Sequence, residues 1–112
     1  MHDDTGRASE TSVGRLLDAA ETIRAVARAR DAVLALTDDR LIVVSDDHVA
    51  LDIPIQDVRR VQFDIERARP ATLVIVPDHP TAEPQVLTIP PQEYANAARA
   101  LAALGERLAQ LD

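Results

Sequence analysis

Short apolar segments that alternate with polar residues at period two dominate residues 31 to 65 of this chain. Such alternation is typical of strands with one buried face, and the acidic pairs Asp38-Asp39 and Asp46-Asp47 separate the segments as turns. The pattern therefore predicts an antiparallel meander. The predicted strands cover 22–30, 32–36, 41–44, 49–55 and 61–65.

Two more strands and one amphipathic helix are predicted after the meander, the strands at 72–76 and 85–89. Pro90-Pro91 opens the helix, because proline fits a first turn where its missing N–H is not needed. The helix is expected to run from about Pro91 to Leu111. Apolar residues at three- and four-residue spacing form one stripe along it: Tyr94, Ala97, Ala98, Leu101, Leu104, Leu108 and Leu111.

The N-terminal part of the chain has a weaker pattern. Residues 1–10 are polar and small, which predicts a disordered tail before a single domain over 11–112. Ser12 is suited to cap a short helix that reaches about Ala20. The segment 22–30 fits either a continuation of that helix or a first strand, and we favour the strand.

The lengths of the turns predict how the strands pair. A two-residue first turn would place Arg28 opposite Ala35, and a turn at Asp38-Asp39 places Leu36 opposite Leu41.

The faces of the strands at 41–44 and 49–55 decide whether the connection between them has an odd or an even number of residues. Val49, Leu51 and Ile53 share the buried face of the preceding strand only if the connection holds an odd number of residues. We therefore predict a three-residue turn at Asp46-Asp47-His48.

Composition excludes several classes of function. The 112 residues include no cysteine, and 12 basic residues, all arginine, stand against 19 acidic ones for a net charge of −7. This balance disfavours nucleic-acid binding and attachment to anionic membranes. We find no catalytic constellation and therefore expect no enzyme activity and no cofactor. We also expect no metal site, because His48 lies in an ordinary acidic hairpin. A soluble cytoplasmic protein is expected.

Two segments carry a resemblance to a known family. Residues 36–44, LTDDRLIVV, resemble the "LTxxRL" hairpin of bacterial pleckstrin-homology-like and GRAM-like domains, and residues 53–61, IPIQDVRRV, are similar to their "IPLxDIxxV" segment. The resemblance implies a mainly β (α+β) fold: a seven-stranded, two-sheet barrel capped by a C-terminal amphipathic helix, with a short N-terminal helix. It implies no single activity, since this fold carries lipid, peptide and self-assembly functions.

The resemblance also suggests a lipid-headgroup site. Eukaryotic pleckstrin-homology domains that bind phosphoinositides use basic residues flanking the first hairpin, where Arg28, Arg30 and Arg40 fall in this chain. Arginine is chemically suited to phosphate.

This chain departs from the phosphoinositide-binding pattern in its charges. It has no lysine, its first turn contains Asp31, and Asp38-Asp39 stand beside the third arginine. We favour a solvated strand face in which Arg24 pairs with Asp39.

An outward apolar face is the clearest functional signal. In the predicted register, Val26, Val33, Ala35, Ile42, Val44 and Ala50 point away from the core of the first sheet. A contiguous apolar patch of this kind indicates an interface, unless the helix at 12–20 covers it. We therefore predict a non-catalytic module for protein interaction and self-assembly, with candidate interface residues Val26, Val33, Ile42 and Val44. Anionic-lipid binding is the alternative.

Overall fold

The computed structural model describes residues 21–46 and 48–111, together with Gly14 and Leu17. The predicted tail at 1–10 and most of the predicted helix at 12–20 lie outside the described residues. All seven predicted strands are present: β1 Ile23–Arg28, β2 Ala32–Thr37, β3 Arg40–Ser45, β4 His48–Pro54, β5 Val58–Asp64, β6 Ala71–Pro77 and β7 Gln85–Ile89.

The strands form two antiparallel sheets. The first has the order β1-β2-β3-β4 and the second β5-β6-β7. A short 3₁₀ turn at Ile55–Asp57 joins them, and at the opposite corner the N–H of Arg30 donates to the carbonyl of Thr88 at 2.8 Å. The predicted two-sheet architecture is therefore confirmed.

The first hairpin differs from its predicted register. Arg28, not Arg30, pairs with Val33, and Val26 pairs with Ala35. The loop is longer than two residues because the N–H of Arg30 bonds to the second sheet instead of to β2. The shift is two residues, so the side chains from Ala25 to Arg28 keep their predicted faces. A bulge between Ile23 and Ala25 breaks the alternation before them.

The third turn is also shorter than predicted. Ser45 pairs directly with His48, and a β-bulge restores the parity, since Val44 pairs with Val49 whereas Val43 pairs with Leu51. The extra residue of the bulge lets Leu51 and Ile53 point into the core, but it leaves Val49 on the outer face, 43% exposed. The prediction that Val49 is buried was therefore wrong.

The C-terminal helix begins with a 3₁₀ turn at Pro91–Glu93 and continues as α1, Tyr94–Leu111. It packs mainly against β1. Ala97, Ala100 and Leu104 are its buried residues, and the two alanines let the helix lie close to the sheet. Of the predicted stripe, Ala98 and Leu111 are exposed.

The core lies between the inner faces of the two sheets and α1. Its fully buried large side chains include Leu36, Ile55, Leu73, Ile75 and Ile89.

Candidate functional site

Arg28 and Arg30 lie at one end of the first sheet, beside the β1–β2 and β3–β4 loops. Both are exposed. The hydroxyl of Ser45 donates to the carbonyl of Asp31 at 3.1 Å, which joins the two loops. Asp46 lies in the second loop, so the two arginines share this end with two aspartates.

Arg40 is held in an ion-pair network at the other end of the sheet. Its Nη2 and Nε donate to the carboxylate of Glu21 at 2.7 and 3.0 Å, and its Nη1 donates to Asp52 at 2.9 Å. The Glu21 side chain is only 5% exposed. The hydrogen bonds to Glu21 are the largest cause that raises the pKa of Arg40 above its usual value. Arg40 is therefore committed to intramolecular partners.

Thr37 completes this network. Thr37 is 1% exposed. Its hydroxyl donates to Glu21 at 2.8 Å and accepts hydrogen bonds from the backbone N–H groups of Asp39 and Arg40. These three hydrogen bonds join the turn to Glu21, which fixes the start of β3 and anchors Glu21 to the sheet.

The other predicted ion pair has a different acidic partner. Arg24 pairs with Asp38 at 2.7 Å and not with Asp39, because a bulge in β1 removes Arg24 from the regular register. Hydrogen bonds from Arg24 lower the pKa of Asp38. Both side chains are about half exposed, so the pair contributes little to stability.

The structure does not bring the three candidate arginines together. Strand β2 separates the end that carries Arg28 and Arg30 from the end that carries Arg40. It has six residues, a length of about 20 Å. One headgroup therefore cannot contact all three.

The candidate interface residues do share one face of the first sheet, as predicted. Val33, Ile42 and Val44 are, however, at most 1% exposed, and Val26 is half-buried. Leu17 packs against the cluster of Ala35, Ile42 and Val44. This contact favours the alternative stated above, in which the segment 12–20 covers the outward apolar face. Ala50, predicted to be outward, packs against the main core instead.

This coverage has a measurable consequence at Ile42. Ile42→Val is expected to lower the free energy of unfolding by about 1 kcal/mol, as for a buried methylene. Val49→Ala, at an exposed position of the same outer face, is the control and is expected to change it by less than about 0.5 kcal/mol. Urea unfolding followed by circular dichroism checks both. If both variants changed the free energy of unfolding equally and negligibly, the burial of Ile42 on this face would be contradicted.

The open edge of the second sheet is a surface that the sequence did not reveal. Strand β5 forms an end of that sheet and pairs only with β6 among the described residues. A bulge at its start makes the regular part run from Arg60 to Asp64. We call residues 60–64 the β5 edge.

Side chains of the β5 edge alternate between the two faces of the sheet. Val61 and Phe63 are half-buried against the core, whereas Arg60, Gln62 and Asp64 are exposed on the outer face. The amide of Gln62 donates to the carboxylate of Asp64 at 2.9 Å. Arg60 makes no ion pair with the part of the chain that the structure describes.

An apolar groove of about 650 Å³ adjoins the end of the β5 edge. Ile65, which is 56% exposed, lines it together with the 66–70 loop, Pro91 and Tyr94. The ring of Tyr94 meets that of Phe63 edge to face, with centroids 6.0 Å apart. The groove thus continues the β5 edge toward the start of α1.

Comparison with known proteins identifies the fold. A DUF1696 family protein with a pleckstrin-homology domain from Shewanella loihica PV-4 superposes with a TM-score of 0.64 at 12% identity, over 92% of each chain. A pleckstrin homology domain from Shewanella amazonensis SB2B gives 0.60 at 17% identity, over 89% of this chain and 96% of that one. This chain has a pleckstrin-homology-like fold. No protein-family model and no curated protein matches the sequence.

Within this pleckstrin-homology-like domain, the described residues contain no group of three side chains suited to hold a metal ion. No helix in the same part of the chain combines the length and hydrophobicity that a membrane span requires.

The β5 edge could not be recognised from its own pattern in the sequence. Alternation of Val61 and Phe63 with polar residues predicts a strand with one buried face, which a central strand can show as well. Only the division of the pleckstrin-homology-like domain into sheets of four and three strands leaves β5 at an edge.

Proposed function

We propose that this pleckstrin-homology-like domain is a non-catalytic module that acts by protein contact, and that the β5 edge is its contact surface. The observation that carries the proposal is an edge strand that pairs only with β6 in the part of the chain that the structure describes, with exposed outward residues from Arg60 to Asp64. The resemblance of residues 36–44 and 53–61 to GRAM-like domains supports the proposal of a non-catalytic module.

An unpaired strand edge is suited to protein binding for a physical reason. Its outward N–H and C=O groups pair with water until another strand replaces the water, so an edge accepts an extended segment by hydrogen bonding. The other edge strands of the two described sheets are β1, β4 and β7. The helix α1 packs against β1, the carbonyl of Thr88 in β7 accepts the N–H of Arg30, and β4 ends in Pro54. Proline protects an edge from pairing, and the β5 edge contains none.

The alternative function, binding of an anionic headgroup, has less support. Arg40 is committed to Glu21 and Asp52. Arg28 and Arg30 lie at the opposite end of β2, where the backbone N–H of Arg28 donates to the carboxylate of Glu93 at 2.9 Å. Two aspartates share that end, and the domain carries a net charge of −7. Binding there would depend on a short-range contact that salt weakens.

Sedimentation with vesicles separates the two functions. We expect no co-sedimentation with phosphoinositide-containing vesicles at low or at physiological ionic strength. The result that would overturn protein contact is salt-sensitive binding that is lost in Arg28→Ala/Arg30→Ala. The matched control is Arg67→Ala/Arg99→Ala, which removes the same charge from two other exposed arginines.

A further inference from the structure

The outward residues of the β5 edge form a self-complementary series. Arg60, Gln62 and Asp64 follow one another on the outer face, with a positive charge at one end, a negative charge at the other and a polar amide between them. An antiparallel copy of the same series places each charge opposite its counter-charge. Self-complementarity is the property that a two-fold interface requires.

We propose that a second copy of this chain binds at the β5 edge, with the two β5 strands antiparallel about a two-fold axis at Gln62. This inference rests on the proposed function and names its partner. The two three-stranded sheets then join into one continuous sheet of six strands.

The proposed register brings complementary residues together on both faces. Arg60 lies opposite the partner subunit's Asp64, and Val61 lies opposite the partner subunit's Phe63. Directly opposed residues of antiparallel strands have Cβ atoms about 5 Å apart, which is within reach of an ion pair. Because of the two-fold symmetry, each of these pairs occurs twice in the dimer.

A neighbouring register lacks this match. Centred on Val61, the pairing places Arg60 opposite the partner's Gln62 and moves Asp64 past the regular part of the partner's strand. Both ion pairs are then lost. Centred on Phe63, the pairing places Arg60 opposite the partner's Glu66, which lies beyond the end of β5. Among pairings within the regular part of β5, the charges therefore favour the register centred on Gln62.

Residues beyond the edge extend the contact. Ile65, 56% exposed, directly follows Asp64 and in the proposed dimer comes next to the start of the partner's β5, where it loses contact with water. A contact of this size remains small compared with standard interfaces. We therefore expect a dimer that dissociates on dilution.

Sedimentation velocity over a concentration series tests the dimer with charge-swapped variants. Arg60→Glu and Asp64→Arg each place like charges opposite one another at two symmetric positions, and each is expected to raise the dimer dissociation constant about tenfold or more. The double variant Arg60→Glu/Asp64→Arg restores opposite charges and is expected to recover the wild-type constant. Arg99→Glu, on the exposed face of α1, makes the same charge change as the first variant and is expected to have no effect.

Two results would overturn the dimer. One is a wild type that stays monomeric at every concentration, and the other is association that Arg60→Glu weakens no more than Arg99→Glu. Recovery in the double variant separates loss of the interface from loss of the fold, because misfolding would not be repaired by a second charge change. Failure of the dimer leaves protein contact standing, whereas vesicle binding through Arg28 and Arg30 would overturn protein contact itself.

Discussion

Leu104→Asp is expected to unfold the domain at room temperature. Leu104 is 4% exposed and belongs to the main core beneath α1. Loss of a buried leucine alone costs about 2–5 kcal/mol, and an unpaired carboxylate in the same place adds a large desolvation penalty. Since small domains have a stability of about 5–15 kcal/mol, the sum is comparable with the whole.

Leu111→Asp is the control for this prediction, because Leu111 lies on the same helix but is 48% exposed. Its free energy of unfolding should stay within about 0.5 kcal/mol of wild type. Thermal and urea unfolding followed by circular dichroism measure both variants. A cooperative Leu104→Asp transition at the wild-type midpoint would show that α1 does not seal the core.

Arg40→Met is expected to destabilise the protein by about 3 kcal/mol, because it removes the guanidinium that forms an ion pair with the buried carboxylate of Glu21. Arg99→Met, at an exposed arginine, is expected to cost less than about 0.5 kcal/mol. The double variant Glu21→Gln/Arg40→Met should be more stable than Arg40→Met alone. Its neutral amide leaves no buried charge, and its carbonyl still accepts the hydroxyl of Thr37.

Urea unfolding of these variants checks the network as a double-mutant cycle. Equal losses in Arg40→Met and Arg99→Met would contradict the role assigned to the buried pair. So would additivity of the Glu21→Gln and Arg40→Met effects, because additivity means that the two side chains do not interact.

The number, order and type of the elements follow from local periodicity. Alternation at period two located all seven strands, and the stripe after Pro90-Pro91 located the helix. The predicted turn at Asp38-Asp39 also gave the observed pairing of Leu36 with Leu41. These features depend on residues close in the chain, so a sequence pattern contains them.

The registers of the first hairpin and of the third turn depend on contacts that the local pattern does not contain, and these two predictions were wrong. The length of the first loop depends on the bond from Arg30 to Thr88 of the other sheet. A bulge in β4, and not a longer turn, supplies the extra residue that turns Leu51 toward the core. Period-two alternation does not encode either contact.

The candidate site was affected in the same way. Outward orientation of Ile42 and Val44 was predicted, but the sequence left open whether the segment 12–20 covers them. Leu17, which packs against them, lies at least 25 residues away in the chain. The sequence suggested that Arg40 could bind a headgroup. Its ion pair with Glu21 was not predicted, because Glu21 lies 19 residues before it. The β5 edge exists only through the arrangement of both sheets.

Site-specific photo-cross-linking tests protein contact at the β5 edge most directly. A photoreactive residue at position 62, on the outer face of β5, is compared with one at position 99, on the exposed face of α1, in the native host at native expression. We expect light-dependent protein adducts at position 62 well above those at position 99. Equal yields at the two positions would contradict the assignment of the β5 edge as the contact surface.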